Sequence, residues 1–293
     1  MLGGVHTAIV TPFEGDEIDW ATYERLVERQ LEAGIHGIVP CGTTGESSTL
    51  SDEEKLKLID CTVRQVDGRA KVIAGVGTND TAQSIRLTRA ARELGADAGL
   101  VITPYYNKPT QAGLYAHFEA IARGAPNFPL VLYNVPSRTS VNLSVQTANR
   151  LADLPEVVAL KDATANLGTA AELAATCGSR MALLSGDDAT AFPLWCVGGR
   201  GVISVTSNLV PERMVALWNA FESGDIASAR ALHSALFPLF SALFVETNPV
   251  PVKAAIEWHT GLPTTATRLP LTPLEAESVE ALRTVCSRLG IGA

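Results

Sequence analysis

Eight short apolar runs recur along the chain at intervals of roughly 20–36 residues: "HTAIVTPF" (6–13), "IHGIVPCG" (35–42), "KVIAGVG" (71–77), "AGLVITPYY" (98–106), "PLVLYNVP" (129–136), "VVALKDAT" (157–164), "MALLSGDD" (181–188) and "GVISVTSN" (201–208). They are continuously apolar rather than alternating, as strands covered on both faces should be. Most are separated by segments of helical period. "DWATYERLVERQLEAG" and "TAQSIRLTRAARELGA" each reach a glycine soon after the last apolar position, a C-cap signal. "STLSDEEKLKLIDC" offers Ser51 followed by Glu54, a capping box. Eight strands alternating with helices predict an α/β chain folded as a (β/α)8 barrel, since eight parallel strands close without leaving an edge. A doubly wound open sheet is the competing arrangement. It usually has fewer strands and a glycine-rich nucleotide loop, and "GVGTND" supplies only half of one.

From about residue 209 the pattern changes. "PERMVALWNAFESGDIASARALHSALFPLFSALF" and "PLEAESVEALRTVCSRLG" read as helices with no strand between them. The expected division is a catalytic barrel over 1–208 and a helical region over 209–293. No Pro-, Gly- or Ser-rich linker separates them, so the second should pack directly on the first.

Hydrophobic residues at 46% and charged residues at 18% fit a well-buried globular chain. A net charge of −8 without a Lys/Arg cluster argues against nucleic acid and anionic membranes as partners. The five cysteines are scattered and never spaced as CxxC, which suits small buried thiols in a reducing compartment. "MLGGVHTAIVTPF" has neither a basic n-region nor a long apolar h-region, so no signal or transit peptide is expected. "SALFPLFSALFV" is too short and too proline-broken to span a bilayer. These features predict a cytoplasmic protein.

Barrel chemistry is done at the C-terminal ends of strands. Those ends carry Thr11-Pro12, Gly42 to Glu46, Gly77-Thr78-Asn79, Thr103 to Asn107, Tyr133-Asn134, Lys161-Asp162, Ser185 to Asp188 and Ser204-Val205-Thr206. The set is rich in hydroxyls, holds one lysine and lacks histidine. His6, His36, His117, His233 and His259 show no HxH, HxxxH or HExxH spacing, which argues against a catalytic zinc site. No GxSxG elbow or Walker loop occurs. "GGRG" (198–201) could cradle a phosphate but reads better as a tight turn into the last strand.

Lys161 is one of only six lysines. It is either a solvated rim residue with its stem along the wall or a Schiff-base nucleophile. A nucleophilic amine must be neutral, and an apolar barrel mouth favours that form by desolvating the ammonium. With hydroxyls around it and no metal competing for a carbonyl, the Schiff base is the stronger reading. Tyr133 ends the preceding strand, where its phenol could relay protons as the imine forms, with Thr43 passing them onward. The loop "GTTGE" could converge backbone N–H groups on an anion such as a 2-oxo-acid carboxylate, or could be an ordinary βα turn.

Taken together, "GTTGESSTL", "TPYYNKPTQAGLYAHF", "YNVPSRT", "LKDAT", "LSGDD" and "GVISVTSN", in this order and spacing, resemble the 4-hydroxy-tetrahydrodipicolinate synthase family, within the wider pyruvate-lyase superfamily. "FVETNPVPVKAAI" and "LPLTP" extend the likeness into the C-terminal region. The resemblance implies a pyruvate imine on Lys161 and enamine attack on L-aspartate-4-semialdehyde in lysine and diaminopimelate biosynthesis, with no cofactor beyond that imine. It implies a proton relay of Thr43, Tyr133 and Tyr106, the last entering from a neighbouring subunit of a homotetramer built from two tight dimers. It gives Thr44 with Thr43 the pyruvate carboxylate, lines the pocket with Gly186 and Ile203 through backbone groups, and gives Arg138 the semialdehyde carboxylate. A guanidinium suits that last role through bidentate pairing, although a surface ion pair is the alternative. Other superfamily activities, N-acetylneuraminate or 2-keto-3-deoxygluconate cleavage, are the competing functions, and a catalytically silent keto-acid sensor is a third. Asp162 departs mildly from the glutamate common after the lysine.

In lysine-sensitive members of the resembled family the effector site maps here to Ser47, Ser48, Asp52, Lys55, Asn79, Gln83 and Tyr105. Those members carry Glu in place of Gln83 and His in place of Lys55. The expected site is therefore degenerate, with one anion fewer and one cation more to face an effector ammonium. An alternative places Lys55 on the exposed face of its helix, near Glu53 and Glu54.

Overall fold

The computed structural model describes residues 2–292. Eight parallel strands close into a barrel: β1 (Gly4–Ala8), β4 (Gly37–Val39), β5 (Lys71–Gly75), β6 (Ala98–Ile102), β7 (Leu130–Asn134), β8 (Val157–Asp162), β9 (Ala182–Ser185) and β10 (Gly201–Ser204). Each pairs with the barrel strand before and after it in sequence, and β1 pairs with β10 to close the ring. This is a TIM barrel, as the eight apolar runs predict. The runs overstate strand length, because their polar C-terminal halves are the loops of the barrel mouth. "GVISVTSN" is strand only to Ser204, and Thr206–Asn208 form a 3-10 turn. "HTAIVTPF" begins two residues late and runs past the strand into a small hairpin, β2 (Phe13–Glu14) with β3 (Glu17–Ile18), that the apolar pattern does not announce.

Two apolar layers hold the ring. Inside it, Ala8, Val39, Ile73, Leu100, Val131, Tyr133, Ala159, Leu184 and Ile203 fill the bore, while the residues between them face the helices. The period-two rule thus sorts each continuously apolar strand into a bore face and a helix face.

The helices stop and start where their caps dictate. α1 (Trp20–Glu32) is capped by Asp19, and α2 (Asp52–Val66) by the Ser51/Glu54 box with both bonds made. Then follow α3 (Thr81–Glu93), α4 (Gln111–Gly124), the short α5 (Pro136–Thr139), α6 (Val145–Leu151), α7 (Leu167–Cys177) and α8 (Asp188–Cys196). Beyond β10 the chain is helical: α9 (Pro211–Glu222), α10 (Ile226–Ala242), α11 (Val250–Thr260) and α12 (Ala276–Arg288). Trp218 of α9 meets Trp195 of α8 edge-to-face at 4.9 Å, and Phe221 and Phe192 extend that contact. Asn208 ties the junction to the first strand, its Nδ2 donating to the Ala8 carbonyl (2.8 Å) and its Oδ1 accepting from Val10 N–H (3.1 Å). The "GGRG" segment is a turn into β10, with Gly198 at φ 111°. All five cysteines are free thiols; Cys196, unlike the other four, is exposed. No helix of the described residues is long and apolar enough to cross a membrane.

Candidate active site

Lys161 lies at the mouth end of β8, two residues beyond the bore residue Ala159 and therefore on the same inner face. In the ladder it stands beside Tyr133 of β7, and its Nζ sits 4.1 Å from the centre of that ring. Both side chains are buried. Gly186 makes room for the lysine stem: a Cβ there would stand 3.1 Å from Lys161 Cε and 2.7 Å from Ala163 Cβ. Ile203 packs in the same bore cluster as Tyr133.

Three lysines are buried, Lys55, Lys161 and Lys253. Lys253 pairs with Glu46 at 2.6 Å, and Lys55 lies 4.0 Å from Asp52. Among the described residues Lys161 alone of the three has no carboxylate partner. The adjacent Asp162 is engaged elsewhere, accepting from Thr164 Oγ1 (2.7 Å) and Asn134 Nδ2 (3.4 Å), and burial raises its carboxyl above the ordinary range.

The loop after β4 is a tight turn. Gly45 N–H donates to the Gly42 carbonyl (3.1 Å), Glu46 N–H to Thr43 (3.1 Å) and Ser47 N–H to Gly42 (3.3 Å). Those three amides are consumed within the turn, which narrows the expected anion cradle. The amides of Thr43 and Thr44 have no partner among the described residues. The loop rests directly on β5, where a Cβ on Gly75 would come within 2.0 Å of the Cys41 carbonyl oxygen. Thr44 is buried, and its hydroxyl accepts from Asn248 Nδ2 at 3.0 Å. Glu46 adopts φ 56° and turns its carboxylate inward, onto Lys253 Nζ and the Arg268 N–H (3.1 Å).

A cavity of about 560 Å³ opens beside this loop. Thr43, Tyr133 and Arg138 line it, and so do Ser47, Ser48, Asp52, Lys55, Gln83 and Tyr105. Asn79 stands behind that wall, its Nδ2 donating to the Tyr105 carbonyl at 3.1 Å. Arg138, on α5, makes no ion pair among the described residues, so the surface-pair alternative does not hold. Its Nη2 donates to the Asn248 carbonyl at 3.3 Å. Tyr106 is not brought to the site by its own chain: it is 90% exposed, at φ 72°, and lies outside the cavity lining.

Lys55 corrects the alternative that placed it on a solvated face. It belongs to the buried stripe of α2 with Leu58, Ile59, Thr62 and Val66. Its neighbour Asp52 is also bound by Gln83 Nε2 at 2.8 Å, so the one carboxylate among the candidate effector residues is already engaged from two sides.

Sequence reasoning assigned no role to Asn248 or Lys253. A lone lysine in the apolar opening of α11 was the available signal for the second. For Asn248 there was none beyond its place in "FVETNPVPVKAAI".

The Dihydrodipicolinate synthetase family matches the chain over residues 1–289. The chain is 51% identical over 289 residues to the 4-hydroxy-tetrahydrodipicolinate synthase of Nitratidesulfovibrio vulgaris (strain DP4), covering 98% of each. Among solved structures, the dihydrodipicolinate synthase of Thermotoga maritima superposes with a TM-score of 0.96 at 45% identity, covering 99% of both chains. A chain described as the first monomeric dihydrodipicolinate synthase variant also gives 0.96, at 44% identity over 99% of this chain and 97% of that one.

Proposed function

The chain belongs to the dihydrodipicolinate synthetase family and condenses pyruvate with L-aspartate-4-semialdehyde, and we propose that it does so through an imine on Lys161. The product, 4-hydroxy-tetrahydrodipicolinate, serves lysine and diaminopimelate biosynthesis. The observation that carries the imine is the buried, unpaired amine of Lys161 at the mouth end of a barrel strand, against the face of Tyr133. A buried cation normally requires a partner, as Lys55 and Lys253 show. Lys161 has no carboxylate partner among the described residues, which leaves its amine free to meet a substrate carbonyl.

The lysine amine adds to C2 of pyruvate, and the carbinolamine loses water to give the imine. Loss of a proton from C3 gives the enamine, whose C3 attacks the semialdehyde aldehyde carbon. The substrate's own amino group then adds to the imine carbon, closing the ring and releasing Lys161. The proton transfers fall to Tyr133, with Thr43 on the wall of the same cavity. The imine is the electron sink, so this reading assigns no cofactor. Thr44 and the two unpartnered amides suit the pyruvate carboxylate, and the unpaired guanidinium of Arg138 suits that of the semialdehyde. The exposed Tyr106 fits the resemblance's neighbour-subunit role, and with it a homotetramer of two tight dimers. A cytoplasmic setting belongs to the same reading.

The test is to incubate the protein with pyruvate, reduce with borohydride and measure intact mass, then assay coupling to the semialdehyde. One pyruvyl adduct mapping to Lys161, absent in Lys161→Ala together with nearly all turnover, is expected. An adduct on another lysine, or one unchanged in the variant, refutes the mechanism.

A further inference from the structure

Asn248 enters the mouth of the barrel from the segment between α10 and α11, and it touches both residues assigned to substrate carboxylates. Its Nδ2 donates to Thr44 Oγ1 at 3.0 Å, across 204 residues of sequence, and its backbone carbonyl accepts from Arg138 Nη2 at 3.3 Å. The side chain is buried, and its Oδ1 has no partner among the described residues.

A hydroxyl has one proton to give and two lone pairs to receive with, whereas an amide NH2 can only donate. With Asn248 Nδ2 on one lone pair of Thr44, the hydroxyl cannot turn its proton back toward the amide. No other described residue accepts that proton. The O–H is left with a single use, donation to a ligand.

We propose that Asn248 is a positioning residue that fixes the direction of the Thr44 hydroxyl hydrogen, and so sets how tightly the keto acid's carboxylate is held. The inference rests on the reading of Thr44 as a carboxylate clamp. Direction matters because a hydroxyl presenting its lone pair to a carboxylate repels it, while one presenting its proton makes a charge-assisted bond. Losing such a bond weakens binding by roughly ten- to a hundredfold.

Asn248→Asp keeps the shape, removes the donor and supplies an acceptor that would pull the Thr44 proton away from the ligand. Pyruvate KM, and the pyruvate concentration giving half-maximal borohydride trapping, should rise roughly ten- to a hundredfold in this variant. The semialdehyde KM should change far less, because Arg138 is held by the backbone carbonyl, which the substitution retains. Asn248→Ala should raise pyruvate KM by itself yet add nothing in a Thr44→Val background, where no hydroxyl remains to direct. A merely structural role would lower kcat or folded yield without that split and without that coupling. An ordinary pyruvate KM in Asn248→Asp overturns the proposal, since it would mean that the amide accepts the Thr44 proton. So does an Asn248→Ala penalty as large in Thr44→Val as in the unmodified protein, a comparison that stands even if Asn248→Asp fails to fold. Absence of a Lys161 adduct in the unmodified protein would instead overturn the imine reading beneath it.

Discussion

Lys253→Met should destabilise the protein far more than an ordinary core substitution. The ammonium is fully buried, donates to Glu46 Oε1 at 2.6 Å and to the Thr11 carbonyl at 2.8 Å, and lies 4.6 Å from the centre of the Phe13 ring. Burial lowers its pKa, and Glu46 opposes that shift. Methionine fills similar volume but leaves the Glu46 carboxylate in the interior with one Arg268 N–H for company. Breaking a buried pair from one side costs about 3–5 kcal/mol, and the orphaned Thr11 carbonyl adds about 1 kcal/mol. Against a typical total of about 5–15 kcal/mol the variant would be near its limit. The double variant Glu46→Gln, Lys253→Met removes both charges and keeps an acceptor for Arg268 N–H, so most of the loss should return. Urea unfolding at fixed protein concentration reads both effects as midpoint shifts at constant m. A Lys253→Met cost below about 1 kcal/mol, or a double variant no better than the single, would show that the pair does not hold the loop as described.

Arg138→Ala should raise the semialdehyde KM strongly while leaving pyruvate trapping intact; loss of the adduct would mean that Arg138 acts earlier. Tyr106→Phe mixed with Lys161→Ala should regain activity as subunits exchange, and a fully active monomer in sedimentation would exclude the shared site. Burial pulls both His6 and His117 down to about 4. Their unfolded forms take up protons first, so stability should fall as pH drops from about 6.5 toward 4. Each group contributes roughly 2 kcal/mol to the loss between pH 6.5 and 5. His6→Leu should lessen the decline in unfolding free energy by that amount, and an unchanged slope would show that His6 is not titrating. Free L-lysine should inhibit weakly: like charges about 5 Å apart repel by roughly 3 kcal/mol at an effective dielectric near 20, or about two orders of magnitude in affinity. Initial rates at saturating pyruvate that halve below about a millimolar lysine would show that Lys55 and Gln83 do not impair the site.

What could be read from the sequence followed the barrel's own topology. Strands adjacent in sequence are adjacent in space, so Tyr133 and Lys161, ending successive runs, had to meet once the ring closed. The phase of α2 was also readable: Lys55 is three, four, seven and eleven residues before Leu58, Ile59, Thr62 and Val66, on the stripe that a 3.6-residue period buries. Its acidic neighbours drew the alternative reading toward solvent. The contacts of Asn248 and Lys253 were of another kind. They cross 204 and 207 residues between the helical region and the loop after β4, and no local periodicity encodes such a meeting. The hairpin at Phe13–Ile18 was hidden because its apolar first residue reads as the tail of the preceding strand.

The distance along the chain between Glu46 and Lys253 also sets an order of events during synthesis. At about 5–20 residues per second a ribosome adds the intervening 207 residues in roughly 10–40 s. By the last part of that interval, once residue 204 is added, every strand of the ring has been made, Lys161 included, while Glu46 still lacks its partner. Its carboxylate must stay hydrated, so the turn bearing Thr43 and Thr44 cannot settle onto its final seat. The nascent barrel would own its nucleophile before it owned the grip on the substrate, and the C-terminal helices would convert one into the other only on docking.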